Sequence, residues 1–197
     1  MERELKYALS ARHFQALLRR FRGSARVQVN WYFHGRPDGA LARGGAMLRL
    51  RQEPDGWVLA FKGGLAVAGD YFVSEEVEAP LADEEAARAL DRGLGRVDGG
   101  AGPLARASAV DPAPRFEAAG FSRTERTLAP LGTGDDLVLD ASTFPGDLRD
   151  FEAEVETENP DRVRAALDRL ARELDVAFHP QERTKYRRFL DALGEAH

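Results

Sequence analysis

Cysteine is absent from the chain, which excludes a disulfide framework and a thiolate metal site and makes a reducing cytoplasm the simplest compartment. The four histidines stand at 13, 34, 179 and 197 without ligand spacing, so a histidine metal centre is not expected. No apolar run approaches the roughly 20 residues of a membrane span, and the opening MERELKYALS lacks the apolar core of a signal peptide. No membrane role is expected. Neither GxxxxGKS/T nor GxGxxG occurs, which excludes phosphate binding by a P-loop or a dinucleotide-binding turn. An excess of positive charge is missing too. With 28 Lys+Arg against 33 Asp+Glu and a net charge of -5, a surface given over to nucleic acid is not expected.

What remains is enough apolar content, 43% of 197 residues, to bury one sizeable core, and residues 1–197 read as a single domain. Residues 1–9 alternate as a strand, and Ser10 stands as an N-cap before Phe14, Leu17, Leu18 and Phe21 at helical spacing. RVQVNWYFHG (26–35) reads as a strand closed by a turn at RPDG. AMLRLRQE and WVLAFKG flank PDG as a hairpin. YFVSEEVEA follows as a strand and DEEAARALDRGL as a helix with an acidic start. Residues 93–115 are rich in Gly, Ala and Pro and read as a loop or a loose helix. FSRTERTL, DLVLDAST and DFEAEVETE read as three further strands. A helix capped by Asn159, with Pro160 in its first position, carries Val163, Leu167, Leu170 and Leu174 on one stripe. A last helix is expected to begin near Pro180.

Residues two apart on a strand share a face, and here the faces are sorted by charge. Glu2, Glu4 and Lys6 share one, with Leu5 opposite. Arg49 and Arg51 share another, with Leu48 and Leu50 opposite. Val58, Ala60 and Lys62 line up on the next strand, Glu76 and Glu78 on the one after, and Glu152, Glu154 and Glu156 on a later one. A plain antiparallel sheet with one wet face normally mixes its polar residues. Like charges in phase repel unless opposite charges or a bound ion compensate them. The pattern points to strands closed into a barrel, with charged faces lining a solvated tunnel and apolar faces covered by amphipathic helices. Carboxylates in such a tunnel suit Mg²⁺ or Mn²⁺, and Arg and Lys suit phosphate oxygens.

Glu2-Arg3-Glu4-Leu5-Lys6 is an ExExK pattern. It is joined in order by NWYF (30–33), LRLR (48–51), FKG (61–63), SEEVE (74–78), VLD (138–140), FEAEVETENPDRV (151–163) and TKYRRFL (184–190). With these motifs, spread over nearly the whole chain, the sequence resembles the CYTH family, the triphosphate tunnel metalloenzymes, and especially its plant-type and bacterial tripolyphosphatases. The resemblance implies an α+β fold, an eight-stranded antiparallel barrel with flanking helices, that hydrolyses a triphosphate with one or two divalent cations. It implies that Glu2, Glu4 and Glu154 hold one metal and that Asp140 and Glu152 hold or assist a second, which activates water. Arg49, Arg51, Lys62, Arg126 and Lys185 are then the phosphate-binding cations. Lys6 neutralises neighbouring carboxylates or reaches the leaving phosphate. Glu76 and Glu78 are expected to face inward rather than Glu75, and Glu156 to sit at the rim. Arg123 and Arg126 lie on one strand in opposite phase, so one of them should face the tunnel, and Arg126 is expected to. Lys185 comes from a helix, which must therefore plug or flank a tunnel mouth. His34 stands where many relatives carry an acid. Trp31, Tyr32 and Phe33 read as barrel packing.

Within the family, tripolyphosphate hydrolysis, thiamine triphosphate hydrolysis and cyclisation of ATP share this grip. Gly45-Ala46-Met47 lacks the aromatic that animal thiamine triphosphatases carry before the LRLR-like arginines, which favours an unadorned inorganic triphosphate. A non-catalytic polyphosphate-binding module is the rival of another class, and facing carboxylates argue against it. The partner expected is a small-molecule triphosphate, and a homodimer is compatible with the sequence.

Overall fold

The computed structural model describes residues 1–35 and 39–194. In chain order its elements are β1 (Glu2–Leu9), α1 (Ala11–Phe21), β2 (Ala25–His34), α2 (Ala40–Arg43), β3 (Met47–Glu53), β4 (Gly56–Ala68) and β5 (Tyr71–Leu81). Then follow α3 (Asp83–Arg92), β6 (Leu94–Gly95), α4 (Pro103–Val110), β7 (Arg115–Pro130), β8 (Asp136–Thr143), a 3-10 turn (Pro145–Asp147) and β9 (Arg149–Glu156). The chain continues through α5 (Pro160–Leu174), β10 (His179–Pro180) and α6 (Lys185–Leu193). Eight strands pair in the order β1-β5-β4-β3-β2-β7-β8-β9, and β1 pairs again with β9, so the sheet closes. Each of these pairings is antiparallel. This is the α+β barrel expected from the sorted faces.

The outward faces bury the apolar half of each alternation. Leu5, Tyr7, Leu9, Leu137, Leu139, Ala153 and Val155 pack against Phe14 and Leu17 of α1 and Val163, Leu167 and Leu170 of α5. Across the ring, Phe33, Leu48, Leu50, Leu59 and Phe61 pack against Ala86 and Ala89 of α3 and Ala107 of α4. A fully buried Leu or Phe contributes about 1.5–3 kcal/mol, whereas buried ion pairs contribute little net. The helix-covered outside therefore stabilises the barrel and leaves the inside free to carry charge.

The third cluster lies at one end of the tunnel. Tyr32 and Met47, in phase with the inward residues Asn30 and Arg49, pack with Phe144 and with Tyr186, Phe189 and Leu190 of α6. Helix α6 thus seats in one end of the barrel. The register of β2 with β7 shifts at Tyr32/Phe33, beside Gly120. A Cβ on Gly120 would stand 3.2 Å from the Phe189 ring, so this position is kept bare to admit the helix.

Local signals account for most boundaries. The Ser10 side chain accepts from His13 N at 3.2 Å, as its place before the helix predicted. The expected start of the last helix near Pro180 is corrected: Pro180 pairs with Tyr7 of β1, Gln181 N donates to Lys6 O, and the helix begins at Lys185 under a Thr184 cap. Within 93–115 the structure resolves the alternative into β6 and helix α4, which has Pro103 in its first turn. Asn159 precedes α5 without a side-chain capping bond. The turn expected at 36–39 lies, apart from Gly39, outside the described residues.

Candidate functional site

The tunnel encloses a cavity of about 390 Å³, lined inside by Glu2, Glu4, Lys6, Arg49, Arg51, Lys62, Glu76, Arg126, Glu154, Glu156 and Lys185, with Glu182, Arg183 and Arg187 and neutral residues completing the wall. Strand pairing explains how these charges meet. On β4, the inward positions opposite Arg51 and Arg49 are the short residues Val58 and Ala60. The two arginines therefore reach over β4 to the next strand but one. Arg49 Nη2 donates to Glu76 Oε1 at 3.0 Å and Arg51 Nη2 to Glu78 Oε1 at 3.0 Å. Arg51 Nε also lies 2.6 Å from Glu53 Oε1. Glu75, out of phase, meets Arg106 of α4 at 3.0 Å on the outside.

On the opposite wall the acids are deeper. Asp140 and Glu152 stand directly across β8 and β9, neither with any exposed surface. Like charges so placed destabilise a sheet unless compensated, and three cations do this. Arg126 grips Asp140 through Nε (2.9 Å) and Nη2 (2.6 Å) and reaches Glu154 Oε2 at 3.0 Å. Lys185 Nζ lies 2.7 Å from Asp140 Oδ2 and 2.7 Å from Glu152 Oε1. Arg188 donates to Glu152 Oε2 and, at 2.5 Å, to Asp150. Lys6, opposite Glu154 in register, bridges Glu154 (2.8 Å) and Glu4 (2.9 Å). Lys62 meets Glu2 and, at 3.1 Å, Glu4.

Protonation follows from this sorting. Burial alone would raise the Asp140 and Glu154 carboxyls. Lys185 and Arg126 outweigh it at Asp140, and Lys185, Lys6 and Arg126 at Glu154, so both are held below the ordinary carboxylate range. Burial alone would lower Lys6, but Glu154, Glu4 and Glu152 together raise it, and it stays charged. Glu156, at the rim, is pushed up by burial and by Glu2, Glu4 and Glu76.

Among the described residues, the carboxylates whose oxygens converge within 4.8 Å are Asp140, Glu152 and Glu154. Glu152 Oε1 is fully buried and makes no hydrogen bond of good geometry, although the Lys185 ammonium is close. Three hard oxygen donors, one of them met by the Lys185 ammonium without a well-formed hydrogen bond, fit a divalent ion such as Mg²⁺ or Mn²⁺. Glu2 and Glu4 do not join that group. The ammonium of Lys6 separates Glu4 from Glu154, so the expected set of Glu2, Glu4 and Glu154 is not gathered around one point.

The other sequence expectations fall out clearly. Arg126 faces the tunnel. Arg123, named as a further tunnel residue, is corrected: it lies on the outer face, bonded to Glu125 at 2.6 Å, because its neighbours Ser122 and Thr124 take the inward phase. Glu156 is an exposed rim residue. Tyr32 is buried against α6, and its neighbours Trp31 and Phe33 point outward to packing positions. Arg188 was missed. The available signal was its place three residues after Lys185, on the same face of the helix.

A family model, the CYTH domain, matches residues 1–190. The chain belongs to the CYTH family. Among solved structures, an adenylyl cyclase candidate from Hippeastrum, described as having a dominant triphosphatase activity, is 23% identical. It superposes with a TM-score of 0.79 over 97% of this chain and 96% of that one. An adenylate cyclase candidate from Bacillus halodurans is 21% identical, with a TM-score of 0.73 over 96% and 99%. A protein of Pyrococcus horikoshii OT3 is 18% identical, with a TM-score of 0.64 over 97% and 99%. At these identities the likeness concerns the fold. No curated protein matches the chain by sequence. No helix among the described residues is long and apolar enough to cross a membrane.

Proposed function

We propose that this CYTH protein is a divalent-metal-dependent triphosphatase that cleaves inorganic tripolyphosphate to diphosphate and phosphate. The observation that carries the reading is the pairing, in one closed tunnel, of a buried convergent carboxylate triad with a wall of arginines and lysines. Asp140, Glu152 and Glu154 would hold the ion, with Glu2 and Glu4 available to a second through the carboxylates they share with Lys6 and Lys62. When bound, such an ion supplies Lewis-acid polarisation of a phosphoryl oxygen and a water of lowered pKa.

The chain's own residues do the rest. Arg49 and Arg51 are already held in the lumen by Glu76 and Glu78, so their side chains are ordered before the substrate enters. Fixed guanidinium groups aimed at charge that spreads over phosphoryl oxygens stabilise a loose transition state without reorganising. Lys62 and Arg126 flank the cavity between the two acid groups, where an internal phosphate of the substrate would lie. Lys6 keeps Glu4 and Glu154 compensated when no ion is bound.

The choice of an unadorned substrate is supported by the rim. Gly45, Ala46 and Met47 line the cavity without an aromatic, and the aromatics that do border it, Tyr32, Phe72 and Tyr186, are buried in packing. The Hippeastrum relative, described as dominantly a triphosphatase, supports hydrolysis over cyclisation. The test is phosphate release from tripolyphosphate, thiamine triphosphate and ATP, with Mg²⁺ or Mn²⁺ present or chelated and cyclic AMP assayed in parallel. Metal-dependent release fastest from tripolyphosphate is expected. Release that ignores chelation, or a preference for either organic triphosphate, would refute this assignment.

A further inference from the structure

Glu152 has no exposed surface and is touched twice from α6, by residues one helical turn apart. Lys185 Nζ contacts its Oε1 and also Asp140 Oδ2, each at 2.7 Å. Arg188 holds its Oε2, reaches Asp150 with the other terminal nitrogen, and lies over the Phe144 ring at 5.6 Å.

The two cations differ in what they exclude. Lys185 bridges Asp140 Oδ2 and Glu152 Oε1, oxygens of two of the three acids that converge, and Arg126 shares the Asp140 oxygen at 2.6 Å. A hard ion draws such oxygens to about 2.0–2.6 Å, which would crowd it against an ammonium sharing the same two ligands. Lysine carries a compact charge on a flexible stem, and the Lys185 side chain already borders the open cavity, so it has somewhere to go. Arg188 engages the other oxygen. Its planar fork spans two carboxylates, its side chain is 8% exposed, and Phe144 backs it.

We propose that α6 controls occupancy of the acid triad through a division of labour: Arg188 is a positioning residue that aims Glu152 Oε1 at Asp140 and Glu154, and Lys185 is a resident counter-cation that a divalent ion displaces. The inference rests on the reading of the triad as an ion site. Displacement also has a use, because the released ammonium enters the cavity that receives the anion. Ion loading and the appearance of a further phosphate-binding cation are then one event.

Charge and position make opposite predictions. If charge alone mattered, removing either cation would tighten binding of a divalent ion. The proposal predicts tightening for Lys185→Met and weakening for Arg188→Met.

The experiment is calorimetric titration of the full chain with Mn²⁺ and no triphosphate, comparing wild type, Lys185→Met, Arg188→Met and Arg188→Lys. Melting curves in chelator and in Mn²⁺ establish that each variant is folded. Lys185→Met is expected to bind severalfold tighter and to gain more melting temperature from Mn²⁺ than wild type. Arg188→Met is expected to bind about tenfold weaker, the usual scale for losing a residue that orients a ligand, with Arg188→Lys in between. Unchanged or weaker binding by Lys185→Met, or tighter binding by Arg188→Met, overturns the proposal. If Arg188→Met does not fold, Arg188→Lys carries the test, since it keeps the charge and loses the fork; wild-type affinity there would overturn the positioning role. Absence of Mn²⁺ binding by wild type and by every variant would instead remove the ion-site reading itself.

Discussion

Replacing Glu154 by Gln tests the lumen as a charge-balanced chamber. The carboxylate accepts from Lys6 at 2.8 Å and from Arg126 at 3.0 Å, and one of its oxygens belongs to the convergent triad. Glutamine keeps the shape and one acceptor oxygen, and it loses the charge that both cations face. Breaking one partner of a buried pair costs about 3–5 kcal/mol. The retained oxygen, and the partners left to Lys6 (Glu4) and Arg126 (Asp140), argue for the lower end. At about 2–4 °C per kcal/mol for a chain of this size, a loss of about 3 kcal/mol lowers the melting temperature by about 6–12 °C in chelator. Mn²⁺ should restore less of this loss than it adds to wild type, because a ligand has gone, and tripolyphosphate turnover should fall to background. The assays are melting curves with and without Mn²⁺ and phosphate release. A Glu154 on a plain solvated sheet face predicts a change within about 0.5 kcal/mol. A melting temperature within about 2 °C of wild type, together with retained turnover, would refute the reasoning.

Three further outcomes are expected. Arg51→Ala should lower kcat/KM for tripolyphosphate at least about tenfold, with kcat falling as well as KM rising, since a charged hydrogen bond is worth about 1.5–3 kcal/mol and this one serves the transition state too; steady-state kinetics read this directly. Arg123→Ala, on the outer face, should leave turnover unchanged and stability within about 0.5 kcal/mol, and a large loss of activity would put the strand phase in error. Asp140 and Glu154 have depressed folded pKa values, so their contribution is fully present above the unfolded value of about 4 and is lost as pH falls through the folded one; the melting-temperature advantage of wild type over Asp140→Asn should hold steady above pH ~5 and shrink below pH ~4.

The barrel itself was legible because its signal is local and of period two. Glu152, Glu154 and Glu156 announce an inward face within five residues of sequence, and the opposite phases of Arg123 and Arg126 suffice to send one out and one in. What could not be read is position around the ring. Sharing a face says nothing about which carboxylates come within reach of one point, so Glu2 and Glu4 were grouped with Glu154 although Lys6 stands between them. The contact of Lys185 with Asp140 and Glu152 depends on α6 seating against Tyr32 and Met47, a tertiary event with no local pattern. Arg188, three residues on from Lys185, shares its helix face, and only that spacing points to it. α6 starts at Lys185 rather than near Pro180 because pairing with β1 takes up the intervening segment.

One consequence concerns the making of the protein rather than its use. Within the ring β1 pairs with β5 about 70 residues later and with β9 about 150 later, and contacts so distant in sequence are slow to form. A ribosome has therefore released most of the chain before the first strand can find its last neighbour. Until then Lys6 has no Glu154 in register, so a half-closed sheet exposes charges of β1 and β9 without their complements. Ring closure and charge neutrality arrive together, which selects against partly assembled forms during synthesis.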